Sequence, residues 1–247
     1  MVVRSLFKRL IDTFQLNRTG TPVWGRLCSR TGKGGEVPTA EILRVPSLPI
    51  DEIFPGCESF PITLVDYKYE YGTMPVHELM TLCRMIRYKR PRVAFEIGTY
   101  HGGTTLQIAS HSEAEVYTLD MPPRGHPNYV RPQVRDRESD VYPDQPGIRF
   151  HQTPYKNRIH QLFGDSLSFN FRPYWGKVDL VFIDGSHHNE FVLSDSHNAL
   201  KMISPQGIVV WHDYASYAPG VVGVLEKLAK IIPLKHVAGT SLVVHQR

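Results

Sequence analysis

The sequence predicts an α/β protein whose mostly parallel, doubly wound sheet carries helices on both faces. From about residue 73 onward, short apolar segments alternate with amphipathic ones, and a glycine-rich turn follows the first apolar segment. Strands that alternate with helices form parallel sheets with right-handed crossovers. The strands are apolar at nearly every position, which is typical of strands buried on both faces.

The predicted elements follow one another in the order that such a sheet requires. A first helix has apolar residues at helical spacing from Val76 to Ile86 and ends before Pro91. The C-terminal segments 233–237 and 241–245 flank a turn and predict an antiparallel hairpin. Further strands are predicted at 93–97, 115–120, 159–163, 178–184 and 207–213, and further helices at 104–110, 191–202 and 221–232.

Two regions depart from this alternation. Residues 1–72 lack sustained periodicity and are basic at their start, so we interpret them as a loop-rich N-terminal extension with one short amphipathic helix near 5–14. A solvated leader is favoured there over a surface that binds polyanions or membranes. Residues 73–247 form the predicted folded domain. Within it, the proline-rich segment 121–152 predicts a functional lid or a mobile insertion.

Composition excludes several classes of protein. Hydrophobic residues make up 41% of the chain and charged residues 21%, which argues against global disorder. No apolar run approaches the roughly 20 residues of a membrane span, and the N-terminus lacks the apolar core of a secretory signal. We therefore expect a cytoplasmic protein. The three cysteines lack CxxC spacing, which argues against a zinc site or a disulfide framework, and a net charge of +4 does not imply nucleic acid.

The first predicted strand leads into the motif Glu96-Ile-Gly-Thr-Tyr, which opens a helix. Gly98 permits a tight turn and close approach of a ligand to the backbone. Asp120 ends the next strand, where a carboxylate can accept the hydroxyls of an adenosine ribose. The dinucleotide motif G-x-G-x-x-G is absent, because Tyr100 replaces its second glycine. A ligand without phosphates is therefore favoured, while a purely structural glycine turn remains the alternative.

A second group of polar residues follows two later strands. Asp184-Gly-Ser-His-His and His212-Asp-Tyr both project at the carboxyl edge of the sheet, where ligands bind in such folds. Their carboxylates, Asp184 and Asp213, are hard oxygen ligands that suit Mg²⁺. His187 is suited to accepting a hydroxyl proton, with His188 as the alternative, because histidine titrates near pH 6.5. Asp195, on the helix that follows, is predicted to be solvated.

Taken in order, these motifs resemble class I S-adenosylmethionine-dependent methyltransferases. The resemblance covers roughly residue 76 to the C-terminus and is closest to small-molecule O-methyltransferases that act on catechols and macrolide sugars. It implies a seven-stranded Rossmann-like sheet and methyl transfer to a hydroxyl of a sugar or natural product. The motifs that carry it are Glu96-x-Gly, Asp120, Gly164-Asp-Ser, Asp179-Leu-Val-Phe-Ile-Asp-Gly and Trp211-His-Asp-Tyr.

The resemblance also implies residue roles. Glu96 and Gly98 would hold the methionine end of the cofactor, Asp120 the ribose, and Asp165 and Ser166 the adenine. Thr99, Tyr100 and Asp184 would complete the S-adenosylmethionine site. Asp184 and Asp213 would bind Mg²⁺, which in these enzymes holds the substrate oxygens. The catalytic residues would be His187, as the base, and Asp184, as a ligand of that ion.

This chain departs from the family at two positions near the implied metal. Tyr214 follows Asp213 where the catechol enzymes have asparagine, and His212 precedes it where the sugar enzymes have an acidic residue. The alternatives are an N- or C-methyltransferase, a hydroxylase-like relative, and a non-catalytic cofactor-binding module. Nucleic-acid methylation is disfavoured, because no Asn/Asp-Pro-Pro-aromatic motif is present. An N-terminal leader of this kind is compatible with a homo-oligomer.

Overall fold

A computed structural model describes residues 45–127, 129, 143 and 145–247. The basic start of the N-terminal extension and the helix predicted near 5–14 lie outside the described residues. Residues 128, 130–142 and 144 of the proline-rich segment 121–152 also lie outside them.

The sheet has eight strands in the spatial order β1-β7-β8-β6-β5-β2-β3-β4. Neighbouring strands run parallel except where β8 pairs with β6 and with β7. The predicted mostly parallel sheet with a C-terminal antiparallel hairpin is therefore confirmed. The strands are β1 (Ser47–Leu48), β2 (Val93–Ile97), β3 (Glu115–Asp120), β4 (Ile159–Phe163), β5 (Val178–Ile183), β6 (Ile203–Trp211), β7 (Lys235–Val237) and β8 (Val243–Gln246).

The expected number of seven strands is wrong by one, because residues before the predicted domain join the sheet. β1 pairs in parallel with β7, with Ser47 opposite His236. The backbone N–H groups of His236 and Ala238 donate to the carbonyl oxygens of Pro46 and Leu48. This pairing covers the backbone groups that an edge strand otherwise leaves without partners.

Helices pack on both faces of the sheet, as the doubly wound prediction requires. One face is covered by α5 and α6, whose apolar residues pack with Phe95 and Ile97 of β2. The other is covered by α2 and α3, which pack with Ala94 on the opposite side of β2. The described helices are α1 (Ile50–Ile53), α2 (Val76–Lys89), α3 (Gly103–Ser110), α4 (Ile148–His151), α5 (Asn189–Met202) and α6 (Pro219–Leu228).

Residues 45–72, which the sequence places in the extension, contribute to the core as well as to the sheet. Ile53, Phe54 and Cys57 are buried against α2. Cys57 and Cys83 are free and buried, and burial raises the pKa of each thiol above its usual value, to about 11 for Cys57 and about 12 for Cys83. Both therefore behave as small apolar side chains. Among the described helices, none has the length and apolarity to cross a membrane.

The strand ends determine where the candidate site lies. β5 ends at Ile183 and β6 at Trp211, so Asp184 and Asp213 lie in the loops just beyond them. Sheet-like hydrogen bonding continues one residue past each strand, since the N–H of Asp184 donates to the carbonyl of Ile97 and that of His212 to the carbonyl of Ile183. The two loops therefore meet at the carboxyl edge, where the loop after β2 also opens.

Candidate active site

A cavity of about 480 Å³ lies at the carboxyl edge of β2, β5 and β6. Residues 66–75 form one of its walls, together with the side chains of Arg149 and Tyr217. The cavity brings together many of the residues that the sequence predicts as functional, namely Gly98, Thr99, Tyr100, Asp184, His187 and Asp213. The location agrees with the rule that ligands bind at the carboxyl ends of parallel strands.

The loop after β2 forms the floor of this cavity, and its shape depends on glycine. Gly98 has a φ of 104°, and a β-carbon added there would lie 2.0 Å from the carbonyl oxygen of Asp184. Tyr100 also adopts a positive φ of 46°, which is uncommon for a bulky residue. Only glycine fits at position 98, because the backbones of two loops touch there.

Asp120 holds this loop through its carboxylate. Its Oδ2 accepts hydrogen bonds from the backbone N–H groups of Thr99 at 3.0 Å and Tyr100 at 2.7 Å, and its Oδ1 accepts one from Met121 at 2.7 Å. Burial raises the pKa of Asp120 above its usual value, and these three bonds partly offset that rise. Asp120 is not among the described residues that line the cavity, but its carboxylate fixes two that do.

Glu96 is fully buried in β2. Its Oε2 accepts hydrogen bonds from the hydroxyls of Thr105 and of Thr118, the latter at 2.6 Å. Its Oε1 has no hydrogen-bond partner among the described residues. Burial raises the pKa of Glu96 to about 8, against the opposing effect of the two hydroxyl donors. The residues described around the cavity do not include Glu96.

Asp165 and Ser166 lie in the turn after β4, apart from this cavity. Asp165 Oδ1 accepts a hydrogen bond from the N–H of Leu167 at 2.9 Å, and Ser166 bonds to Asp195. The prediction that Asp195 is solvated is wrong, since its residue is only 1% exposed. Burial raises the pKa of Asp195 to about 7. The side chain is buried because it faces the turn after β4 from α5.

His187 and Asp213 form a hydrogen-bonded pair on the cavity wall. His187 Nε2 lies 2.7 Å from Asp213 Oδ2, and the hydroxyl of Tyr217 donates to Asp213 Oδ1 at 2.6 Å. Burial opposes ionisation of Asp213, but its bonds to His187 and His212 prevail and lower its pKa. The rival base His188 precedes the first residue of α5 and does not line the described cavity.

His212 lies between three carboxylates. Its Nδ1 is 2.9 Å from Asp184 Oδ1 and 3.2 Å from Asp213 Oδ1, while its Nε2 is 2.8 Å from Glu78 Oε2. Burial alone would lower the pKa of His212, but the nearby carboxylates, Asp184 foremost, raise it well above its usual value. The contact with His212 likewise lowers the pKa of Glu78, against the effect of burial.

Sequence reasoning missed Glu78, Tyr217 and Ser241 in this group. The N–H of Ser241 donates to Glu78, and its hydroxyl lies 3.2 Å from Glu78 Oε2. A signal for Glu78 existed, because helical spacing places it on the same face of α2 as the buried Leu82 and Met85. An acidic residue on a buried face requires a polar partner. Nothing comparable in the sequence marks Tyr217 or Ser241.

The predicted metal ligands, Asp184 and Asp213, are brought together, and His212 joins them. Each of the three residues offers one ligand atom, and these atoms all lie within 4.8 Å of one another. Two carboxylate oxygens and an imidazole nitrogen are chemically able to coordinate a divalent cation.

Comparison with known proteins finds a family match in the central part of the chain. Residues 95–214 match the family model described as a methyltransferase domain. None of the curated proteins matches the chain. The matched range runs from β2 to the residue after Asp213, so it contains every residue that the sequence predicts as part of the site.

Solved structures with low sequence identity share the fold. A methyltransferase from Podospora anserina bound to S-adenosylhomocysteine superposes with a TM-score of 0.54 at 16% identity, covering 87% of this chain and 99% of that one. A cofactor-bound protein from MTB gives 0.50 at 16% identity over 70% and 82% of the two chains. A protein from Klebsiella pneumoniae provisionally assigned as an O-methyltransferase gives 0.50 at 16% identity over 71% and 81%.

Proposed function

We propose that the chain transfers a methyl group from S-adenosylmethionine to a hydroxyl of a small molecule. The match of residues 95–214 to a methyltransferase domain and the shared fold support this proposal. The acceptor class is a sugar or other natural product. The choice of a hydroxyl acceptor rests on one observation. His187, which is paired with Asp213, lies on the wall of the cavity whose floor is the loop after β2. A hydroxyl needs a base to accept its proton, and His187 is suited to that role.

The reaction is a direct in-line transfer. The acceptor oxygen attacks the sulfonium methyl carbon as the carbon–sulfur bond breaks, which yields S-adenosylhomocysteine and a methyl ether. The hydroxyl proton passes to His187, whose Nε2 donates to Asp213 Oδ2 at 2.7 Å. Asp213 thereby orients the ring and stabilises the imidazolium that forms. The sulfonium is already a good leaving group, so alignment of the two reactants supplies most of the acceleration.

The loop after β2 and the loop after β5 bind the cofactor in this proposal. Gly98, Thr99 and Tyr100 offer backbone groups at the cavity floor. Their position in the cavity lining supports this assignment. Asp120 fixes that loop and accepts the ribose hydroxyls, and Asp184 adjoins the methyl-donor end. Glu96, which is buried behind the loop after β2, is assigned to the methionine end of the cofactor.

The adenine is assigned to the turn after β4. Asp165 and Ser166 stand at the carboxyl end of the strand that pairs with β3, so they lie beside the strand that carries Asp120. Support for this assignment comes from the order of the strands, since an adenosyl group extended from Gly98 past Asp120 reaches β4 next.

Asp184, His212 and Asp213 also fit a divalent cation, because three ligand atoms of suitable type converge. When bound, such an ion lowers the pKa of an acceptor hydroxyl and helps to hold it. The residues of the chain still carry the proton: His187 receives it, and Asp213 contributes Oδ2 to His187 while Oδ1 faces His212.

The acceptor binds under residues 66–75 in this proposal. Glu70 accepts a hydrogen bond from Arg149 and lies 2.8 Å from His101 Nδ1, which ties the segment to the start of α3 and to α4. Tyr67, Tyr71 and Tyr217 offer aromatic surface there.

Three predictions from the sequence stay predictions. They are the division into an extension (1–72) and a catalytic domain (73–247), the cytoplasmic location and the homo-oligomer.

Two measurements on the full chain test this function. Calorimetric titration with S-adenosylmethionine and S-adenosylhomocysteine should detect binding, whereas NAD⁺ should give none. Incubation with a panel of catechols and glycosylated macrolides should then yield S-adenosylhomocysteine and an O-methylated product, and a matched acceptor already methylated at that oxygen should give no turnover. Absence of binding by both adenosyl compounds would overturn the assignment, while methylation at nitrogen or carbon would overturn the hydroxyl acceptor alone.

A further inference from the structure

We propose that Asp184, His212 and Asp213 bind a divalent first-row transition ion in preference to Mg²⁺, with Glu78 holding the imidazole of His212 in place. The inference deepens the proposed function, on which it rests for the role of the ion beside the acceptor. Binding of the ion itself is independent of the methyl donor and is measured without it.

The spacing of the ligand atoms suits a metal ion. Asp184 Oδ1 and Asp213 Oδ1 lie 2.9 Å and 3.2 Å from His212 Nδ1. Ligands about 2.1 Å from an ion and at right angles to each other are about 3.0 Å apart, which is the edge of an octahedron. Both distances from Nδ1 are therefore close to that edge, and all three ligand atoms lie within 4.8 Å of one another.

The nitrogen ligand decides which ion is favoured. Mg²⁺ takes oxygen ligands and retains water, whereas imidazole suits later first-row ions such as iron, nickel and zinc. For a site with a nitrogen donor, affinity rises from Mn²⁺ through Co²⁺ to Ni²⁺. Only three residues supply ligand atoms in this group, and His212 is one of them. Its nitrogen therefore makes up a large part of the ligand set and distinguishes it from a set of oxygen atoms alone.

Glu78 makes His212 a defined ligand. Its Oε2 lies 2.8 Å from Nε2, and Glu78 is itself held by the N–H and hydroxyl of Ser241. A carboxylate on the far nitrogen of a histidine fixes the ring and the tautomer, and raises the basicity of the nitrogen that binds metal. With Nε2–H donated to Glu78, Nδ1 is the ring nitrogen that would bind the ion beside Asp184 and Asp213.

The charge of the group favours a cation at that point. Three carboxyl groups surround one imidazole: Glu78 contacts Nε2, and Asp184 and Asp213 contact Nδ1. The Nδ1 proton lies between the two Asp carboxylates in the metal-free form, and a divalent ion bound there would replace it and offset more of their negative charge. His212 and Glu78 are only 8% and 5% exposed, so water screens the group weakly.

Titration calorimetry of the full chain with MgCl₂, MnCl₂, CoCl₂ and NiCl₂, without S-adenosylmethionine, tests the preference. Wild type should bind Mn²⁺ at least about 10-fold more tightly than Mg²⁺, with a further rise to Co²⁺ and Ni²⁺. His212→Asp should bring Mg²⁺ and Mn²⁺ to similar affinities. His245→Gln is the control, since His245 is also 8% exposed but bonds to the Pro233 carbonyl on the hairpin, and it should retain the wild-type order.

Pulsed electron paramagnetic resonance of the Mn²⁺-loaded chain gives a second measurement. Coordination through Nδ1 should produce a ¹⁴N coupling that His212→Asp abolishes and His245→Gln retains. Glu78→Gln keeps the ligand but loses the carboxylate behind it, and it should weaken Co²⁺ binding about 10- to 100-fold. This variant also serves if His212→Asp does not fold.

Equal affinity of wild type for Mg²⁺ and Mn²⁺, no binding of any ion, or a missing ¹⁴N coupling would each overturn the inference. Binding of S-adenosylhomocysteine, measured in the same samples, reports on the proposed function separately. Loss of ion preference with cofactor binding intact therefore refutes only the transition-ion site.

Discussion

The α-carbon of Gly98 approaches the backbone of Asp184 so closely that a β-carbon on Gly98 would lie 2.0 Å from the Asp184 carbonyl oxygen. Gly98→Ala must therefore separate the loops after β2 and β5, and it also imposes a φ of 104° on alanine. We expect a loss of about 2–5 kcal/mol in the free energy of unfolding, measured by urea denaturation.

Gly223→Ala is the matched control for this substitution. Gly223 lies inside α6, and a β-carbon there would meet no atom within 4 Å. It should raise stability by about 0.5–1 kcal/mol, because alanine is the better helix former. An equal effect of the two substitutions would contradict the close contact at Gly98.

His187→Ala should lower turnover while leaving cofactor affinity nearly unchanged. Removal of a general base costs about 10²- to 10⁴-fold in rate, and this base is paired with Asp213. Steady-state kinetics give kcat, and calorimetry gives the Kd of S-adenosylmethionine. His188→Ala is the comparison, because His188 does not line the described cavity, and it should retain most of the activity. Full turnover by His187→Ala across the pH range would refute the base assignment.

Asp120→Asn should weaken binding of S-adenosylhomocysteine by about 10-fold or more. The substitution removes a charged acceptor of three backbone N–H groups, and a hydrogen bond to a charged group contributes about 1.5–3 kcal/mol. Glu115→Gln at the opposite end of β3 is the control, since its side chain is exposed and pairs with His160. Unchanged affinity for Asp120→Asn, by calorimetry, would separate Asp120 from the cofactor site.

Glu96 should make stability fall as pH rises. Its pKa is about 8 in the folded protein, where burial disfavours the carboxylate, against 4.5 for an ordinary glutamate. Between these values the folded state keeps a proton that the unfolded state has released, so folding loses up to about 1.4 kcal/mol per pH unit. Glu96→Gln lacks this proton and keeps an oxygen acceptor for Thr105 and Thr118.

Urea denaturation at pH 5, 6, 7 and 8 measures the difference between Glu96→Gln and wild type. The free energy of unfolding of Glu96→Gln, relative to that of wild type, should increase with each rise in pH. It should stop increasing above pH 8. Parallel profiles of the two proteins would mean that Glu96 is ionised when folded.

The strand and helix pattern predicted most of the fold, because β2 to β6 are short apolar runs between turns. The strand Ser47–Leu48 escaped prediction, since two residues carry no periodicity and the strand exists only where the hairpin leaves an edge to pair with. Asp195 was wrongly expected in solvent for a similar reason. A polar residue on a helix gives no sign that the turn after another strand will cover it.

The amino-acid sequence by itself determined the wound sheet and the order in which Gly98, Asp120, Asp184 and Asp213 reach its carboxyl edge, because strand periodicity and turn residues are local properties of the chain. Tertiary structure alone decided which atoms meet there. Glu78 on α2 reaches His212 across 134 residues of sequence, and Ser241 beside the hairpin reaches Glu78 across 163. Such contacts follow from helix and strand packing rather than from any local pattern.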